Sequence, residues 1–468
     1  MHKFNIKTNV KKKKRITKFR RRKYLAESGK SSKRLLREVS KMLHHFFPNL
    51  KEHIDINSID PRRKKSCTYK LSELILAAVY MYMMRNGSRS KMNDNRSYVE
   101  YRRNYKSLFG LKLPHMDTVD DLLENLDIAV LCQLRKHIIS ILLKKRVLHK
   151  FRLLKQYFTI AIDGTGIFKF AEEEPYPGCP YKTSKTGKVT YSQSIVEAKI
   201  VLANGFSISI DTEWVINTDG QTKQDCEQNA TKRLLRRLKK EYNRLPICIL
   251  LDGLYANQPT MKAIKVENNW EFIIVWKDKT LYELQDEIEL HRGQNQVVQR
   301  SELRVHNQYQ RTESDYEYSP IALSNSSCPI YYAKVREKEI DIRSGIETQS
   351  TKFVFMSSLP VNSNNYKEII QAGRRRWKIE NEGFNVQKNN DIAFHHKMNR
   401  TNLEGMKNYY LCMQIAHIFD QLLTLSINTY VQCWDIVKNM WQYLNAALTI
   451  LPEYQPALLE GQKYNYRF

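Results

Sequence analysis

"YFTIAIDGT", Tyr157–Thr165, is where this 468-residue chain changes character. Upstream, apolar residues recur at helical spacing, as in "YKLSELILAAVYMYMMR" and "LCQLRKHIISILLKKRVL". From Tyr157 the residues are β-branched or aromatic, and the run stops on an Asp-Gly step, a common turn dipeptide. Downstream, "KVTYSQSIVEAKIVL" (Lys188–Leu202) and "GFSISIDTEWVI" (Gly205–Ile216) alternate with period two around "ANG", a hairpin signal. A basic helix over Lys223–Tyr242 follows. Behind Pro246 comes "ICILLDG", a fully apolar strand of the kind buried in a sheet centre. A helix over Gln258–Glu267 then leads to the strand "WEFIIVW" (Trp270–Trp276).

The order is three strands, helix, strand, helix, strand. A three-stranded meander followed by alternating helices and strands predicts an α/β fold with ribonuclease H topology. Residues 279–350 are polar and short-stranded, without long helical periodicity, and read as a β-rich insert. "KFVFMSSLPV" (Lys352–Val361) restores a core strand. The expected plan is a helical DNA-binding region over 1–150, a ribonuclease H-like core over 151–400 broken by the insert, and a helical region over 401–468.

Lys plus Arg (77) exceed Asp plus Glu (49), a net charge of +28. Residues 1–40 hold 16 Lys/Arg against two acids, Glu27 and Glu38. Lys11, Lys12, Lys13, Lys14, Arg15, Arg20, Arg21 and Arg22 form an arm that cannot bury itself and attracts polyanions by counterion release. The expected partner is double-stranded DNA. The longest apolar run, Leu74–Met84, is too short to cross a bilayer, and the basic start has no apolar segment behind it. The eight cysteines stand singly, which suggests neither a zinc ribbon nor a disulfide framework, and Cys248, inside an apolar run, fits a buried free thiol in a reducing compartment; the expected location is cytoplasmic, associated with the nucleoid. No Walker loop appears, so no ATP requirement is expected.

In the ribonuclease H topology the first and fourth strands are neighbours. Asp163 in "AIDGT" and Asp252 in "LLDGL" would then lie side by side at the ends of these two strands. Adjacent carboxylates repel and need a cation to stay ionised together. Mg2+ suits them, with Mn2+ as substitute, since it prefers oxygen donors and keeps positions open for phosphate. A third carboxylate would complete a two-ion site. "RRRWKIENEGFNVQK" (Arg374–Lys388) supplies candidates in Glu380 and Glu382. Arg376 and Lys388 lie four residues before and eight after Glu380, near one helical face. Glu382 falls at i,i+4 from Lys378, as in a surface ion pair. Trp377 reads as a core anchor, with base stacking as the alternative. Asp211 and Glu213 share a face of the third strand and are expected to meet solvent.

The pattern "IDGT … LLDGLYANQP … RRRWKIENEGFNVQK" resembles the DDE transposases of bacterial insertion sequences, in the group with a β-rich insert between the second Asp and the Glu. "KQDCEQNATKRLL" and "DTVDDLL" are also similar to stretches of that family, and the resemblance spans about residues 60–400. It implies that Asp163, Asp252 and Glu380 bind divalent metal and catalyse DNA cleavage at element ends. The freed 3′ hydroxyl would then join target DNA. Arg376, Lys388, Arg375, Arg374 and Trp377 would bind DNA, and a homodimer would hold two ends. The family's Tyr-x2-Arg-x3-Glu-x6-Lys signature is altered here: its Tyr place is Gly373, and Gln387 stands at the seventh place after Glu380. Two alternatives are a metal-dependent nuclease of the same fold without strand transfer and an inactive DNA-binding relative.

Overall fold

The computed structural model describes residues 36, 38–63, 67–170, 173–217, 225–277, 281–324, 328–389, 392, 394, 396, 398, 399, 402–426 and 440–450. They fall into two compact units, one taking residues 1–134, 391–396 and 404–468, the other 135–390 and 397–403.

The first unit is helical. Its helix Leu71–Met83 is apolar on all sides and buried at every position, as a helix at the centre of a bundle must be. Around it lie Leu50–Asn57, Arg89–Ser97, Val99–Phe109, Met116–Asn125, Leu403–Ser426 and Met440–Ile450. Polar ties between distant parts of the chain are buried here. Arg85 Nη2 meets Asp420 Oδ2 at 2.8 Å. Asn445 accepts from Tyr101 Oη at 2.9 Å and donates to the Met84 carbonyl at 2.9 Å. Among the described residues no helix is long and apolar enough to cross a membrane.

The second unit is a ten-stranded sheet with helices against it. Its strands are β1 (Phe158–Lys169), β2 (Tyr181–Thr183), β3 (Val189–Val201), β4 (Ser207–Val215), β5 (Ile247–Leu251), β6 (Glu271–Val275), β7 (Val298–Val305), β8 (Gln310–Tyr318), β9 (Tyr331–Asp341) and β10 (Glu347–Ser357). One half has the order β4-β3-β1-β5-β6. β1, β3 and β4 form the antiparallel meander, while β5 pairs parallel to both β1 and β6. This is the ribonuclease H arrangement. All five residues of β5 are buried, as its apolar run requires.

Three expectations need correction. β1 does not stop in a turn at Asp163-Gly164; it runs on to Lys169 because β3 keeps pairing with it as far as Lys169–Ser192. Second, the Gln258–Glu267 helix is α only over Gln258–Lys262 and then widens into a π-helical turn over Ala263–Glu267. Third, the insert is neither short-stranded nor free of helix. Strands β7–β10 run 8 to 11 residues, and the helix Tyr282–Gly293 precedes them. The strands read as polar because their faces are largely exposed; β7 has no buried residue. The insert also extends the core sheet. β10 pairs antiparallel with β6 through Phe355–Ser357, and β9, β8 and β7 follow in order.

Asp211 and Glu213 do not face solvent. Their side of β4 is covered by the helix Glu227–Tyr242, whose Arg233 and Arg237 stand one turn apart above them. Arg237 donates to Asp211 at 2.6 Å and to Glu213 at 2.5 Å. Arg233 donates to Glu213 and to Asp225, each at 2.6 Å. From beneath, the buried Arg135 reaches Asp211 at 3.2 Å, Ser209 at 2.9 Å and Thr212 at 2.8 Å. Buried charges need such pairing, and here it locks the helix to the sheet.

Candidate active site

The parallel ladder between β1 and β5 ends at the pair Ala161–Leu250. Asp163, within β1, and Asp252, the residue after β5, each lie two residues beyond that pair. Asp252 caps a short 3-10 turn, its Oδ1 accepting the Leu254 amide at 2.9 Å. The turn role of this Asp-Gly step and its place at the sheet edge therefore coexist. Lys277, just past β6, brings Nζ to 3.7 Å from Asp252 Oδ2.

Glu380 arrives from a distorted helix. The α-helix Tyr366–Arg375 gives way to a π-helical segment, Ile379–Asn385, before α geometry resumes at Val386–Asn389. π-helical turns mark functional sites more often than chance. Arg376 Nη1 lies 3.2 Å from Asp163 Oδ2 and 3.0 Å from Glu380 Oε1, joining the two carboxylates. Lys378 pairs with Glu382 at 2.6 Å on another face. The wider turn also accounts for the spacing to Lys388. Eight residues containing one π turn cover about the same two turns as seven in an α-helix. Lys388 Nζ thus donates to Thr165 Oγ1 at 3.1 Å, while Gln387 is fully buried. Thr165 and Asp163 share one face of β1.

Burial pushes the Asp163 carboxyl up to about 7; Arg376 opposes this, and the charges of Glu380, Glu227 and Asp252 add to it. Four acids therefore crowd one place. Among the described residues no three carboxylate, imidazole or thiolate groups close on a single point, so they are neighbours and not a finished cage. Their donor chemistry still fits a hard divalent cation. All are carboxylate oxygens, and two already share one guanidinium nitrogen.

The other expected DNA contacts fare differently. Arg376 is only 8% exposed and is spent on the two carboxylates, so it is not laid out on a DNA-facing surface. Arg374 pairs with Glu337 of β9 at 2.8 Å and lies over the Phe353 ring. Arg375 is half-buried, with Nη1 lacking an acceptor. Trp377 is no core anchor: it is 46% exposed and sets its edge on Phe353. Lys11–Arg22 lie outside the described residues.

The family model of the Transposase DDE domain matches residues 159–382, a span from β1 to just past Glu380 that includes both aspartates. The chain carries a DDE transposase domain. No curated protein matches the chain. The DDE domain implies DNA as partner. It also takes in residues that the sequence reading did not single out: Thr165, Glu227, Tyr255 and Lys277. Glu227 looks from sequence like an acid in a first helical turn, where the helix dipole favours it. Its approach to Asp163 is a tertiary fact with no local signal.

Proposed function

We propose that this chain is the transposase of a bacterial insertion sequence, cleaving the element ends and joining each freed 3′ hydroxyl to target DNA at Asp163, Asp252 and Glu380. The observation that carries the reading is that both aspartates lie two residues beyond the last pair of the parallel β1–β5 ladder and Glu380 reaches Asp163 through Arg376.

Asp163, Asp252 and Glu380 would hold Mg2+. Bound there, it would offset the scissile phosphate's charge and favour deprotonation of the attacking oxygen. Arg376 keeps the Asp163 and Glu380 carboxylates in one place, and Lys388 stands beside them on Thr165 to meet a phosphate oxygen. In the first step water attacks phosphorus, the 3′ oxygen leaves, and a 3′ hydroxyl is freed. In the second that hydroxyl loses its proton and attacks a target phosphate, expelling the target's own 3′ oxygen. One phosphodiester replaces another, so no ATP is called for. The basic arm would bind duplex DNA, and pairing two ends calls for at least a dimer.

The test is a strand-transfer assay with Mg2+, a duplex from the sequences flanking the protein's own coding region, and a supercoiled plasmid. Joined product, absent with Asp163→Ala or Asp252→Ala while both variants still shift DNA in a gel, is expected. Cleavage without joining would instead show a nuclease.

A further inference from the structure

We infer that Glu227 is a fourth carboxylate of the cation site, contributing an oxygen beside Asp163; this rests on the metal-binding role just proposed for Asp163 and Asp252. Glu227 opens the helix Glu227–Tyr242, and its carboxylate lies against the backbone of Gly164, the residue after Asp163. A methyl group on Gly164 would fall 2.3 Å from Glu227 Oε2 and 2.4 Å from Cδ. The Asp-Gly step is thus a requirement of this close approach.

The carboxylate is aimed from two sides. Tyr255 Oη donates to Oε1 at 2.7 Å, and Tyr255 Oη and Thr231 Oγ1 are 2.9 Å apart. Tyr255 belongs to the turn that Asp252 caps, so one short segment fixes both acids. The arginine ladder on Asp211, Glu213 and Asp225 holds the helix that carries Glu227. With Oε1 taken by the phenol, Oε2 is left on the Gly164 side. An acid brought this near Asp163 and steered by a buried tyrosine adds repulsion unless a cation shares it.

Binding of Mn2+ to the full chain, followed by loss of the free-ion electron paramagnetic resonance signal, tests this without turnover. Wild type should bind, and Asp163→Asn should lose binding. Glu227→Gln keeps shape and the Tyr255 contact but removes charge; it should weaken binding about tenfold or more, the scale of one charge at close range. Tyr255→Phe removes the hydrogen bond and keeps the charge, and its effect should be several times smaller. Gly164→Ala, which displaces the carboxylate while leaving Glu227 in the sequence, should resemble Glu227→Gln. A structural role alone reverses the order, with Tyr255→Phe the worse variant, and overturns the inference. So does normal binding by both Glu227→Gln and Gly164→Ala beside loss in Asp163→Asn. No binding by wild type removes the metal reading itself, and this inference with it.

Discussion

Asp163 holds its proton to about pH 7 in the folded chain, chiefly because it is buried and is then pushed by three neighbouring acids against the pull of Arg376. An unfolded aspartate releases it near 3.8. Between those values the unfolded state binds fewer protons, so stability falls as pH rises through the window and stays low above it. Asp163→Asn should therefore melt higher than wild type at pH 8 in chelator, by an increment on the order of 1–4 kcal/mol. At pH 4 the two should nearly coincide; an equal gap at both pH values would exclude this origin. The two glutamates of the distorted helix separate just as sharply. Glu380 shares Arg376 with Asp163, whereas Glu382 is paired with Lys378. Glu380→Gln should abolish Mg2+-dependent cleavage in a gel assay and Glu382→Gln should leave most of it. The reverse order would make Glu382 the ligand. These i,i+4 pairs were legible in the sequence because helical spacing alone sets them. The burial of Arg376 was not, since it depends on β1 arriving from more than two hundred residues away.

Elements were readable where the chain is apolar and bounded by turns, as in β1, β3, β4, β5 and β6. The helix Tyr282–Gly293 carries little helical signal in the sequence because it buries only Leu284, Ile288 and His291 in an otherwise polar segment. The π segment left a trace in the sequence after all, the lysine displaced by one position. Gly373 is a second trace. It packs its Cα on the Phe355 ring of β10, where a Cβ would come within 2.5 Å, so the family's tyrosine has no room at this place. Gly373→Ala should cost about 1–3 kcal/mol by overpacking, read from denaturant midpoints. Adding Phe355→Leu should restore part of the loss if this close approach is the cause. Additive losses would point elsewhere.

At the scale of the whole molecule, the charge surplus is concentrated in the N-terminal arm. Removing residues 1–35 takes away 15 Lys/Arg and spares Leu36 and Val39, which are buried. DNA binding should weaken, and the slope of log affinity against log salt should flatten by about 0.9 for each phosphate that the arm neutralises. An unchanged slope in a salt titration would show that the arm does not touch DNA. The sheet carries a mechanical consequence. From β6 through β10, β9 and β8 to β7 the ladder takes four steps. At about 20–25° of twist per step, β7 is turned roughly 80–100° from β6. The outer strands thus stand almost crosswise to β6, and the two parts of the sheet are joined by backbone pairing of β10 with β6 through Phe355–Ser357. A load applied at the tips of β7 and β8 passes as torque along the ladder to β6, the strand that ends beside Asp252. The insert is a cantilever, and it cannot swing clear as a tethered module would.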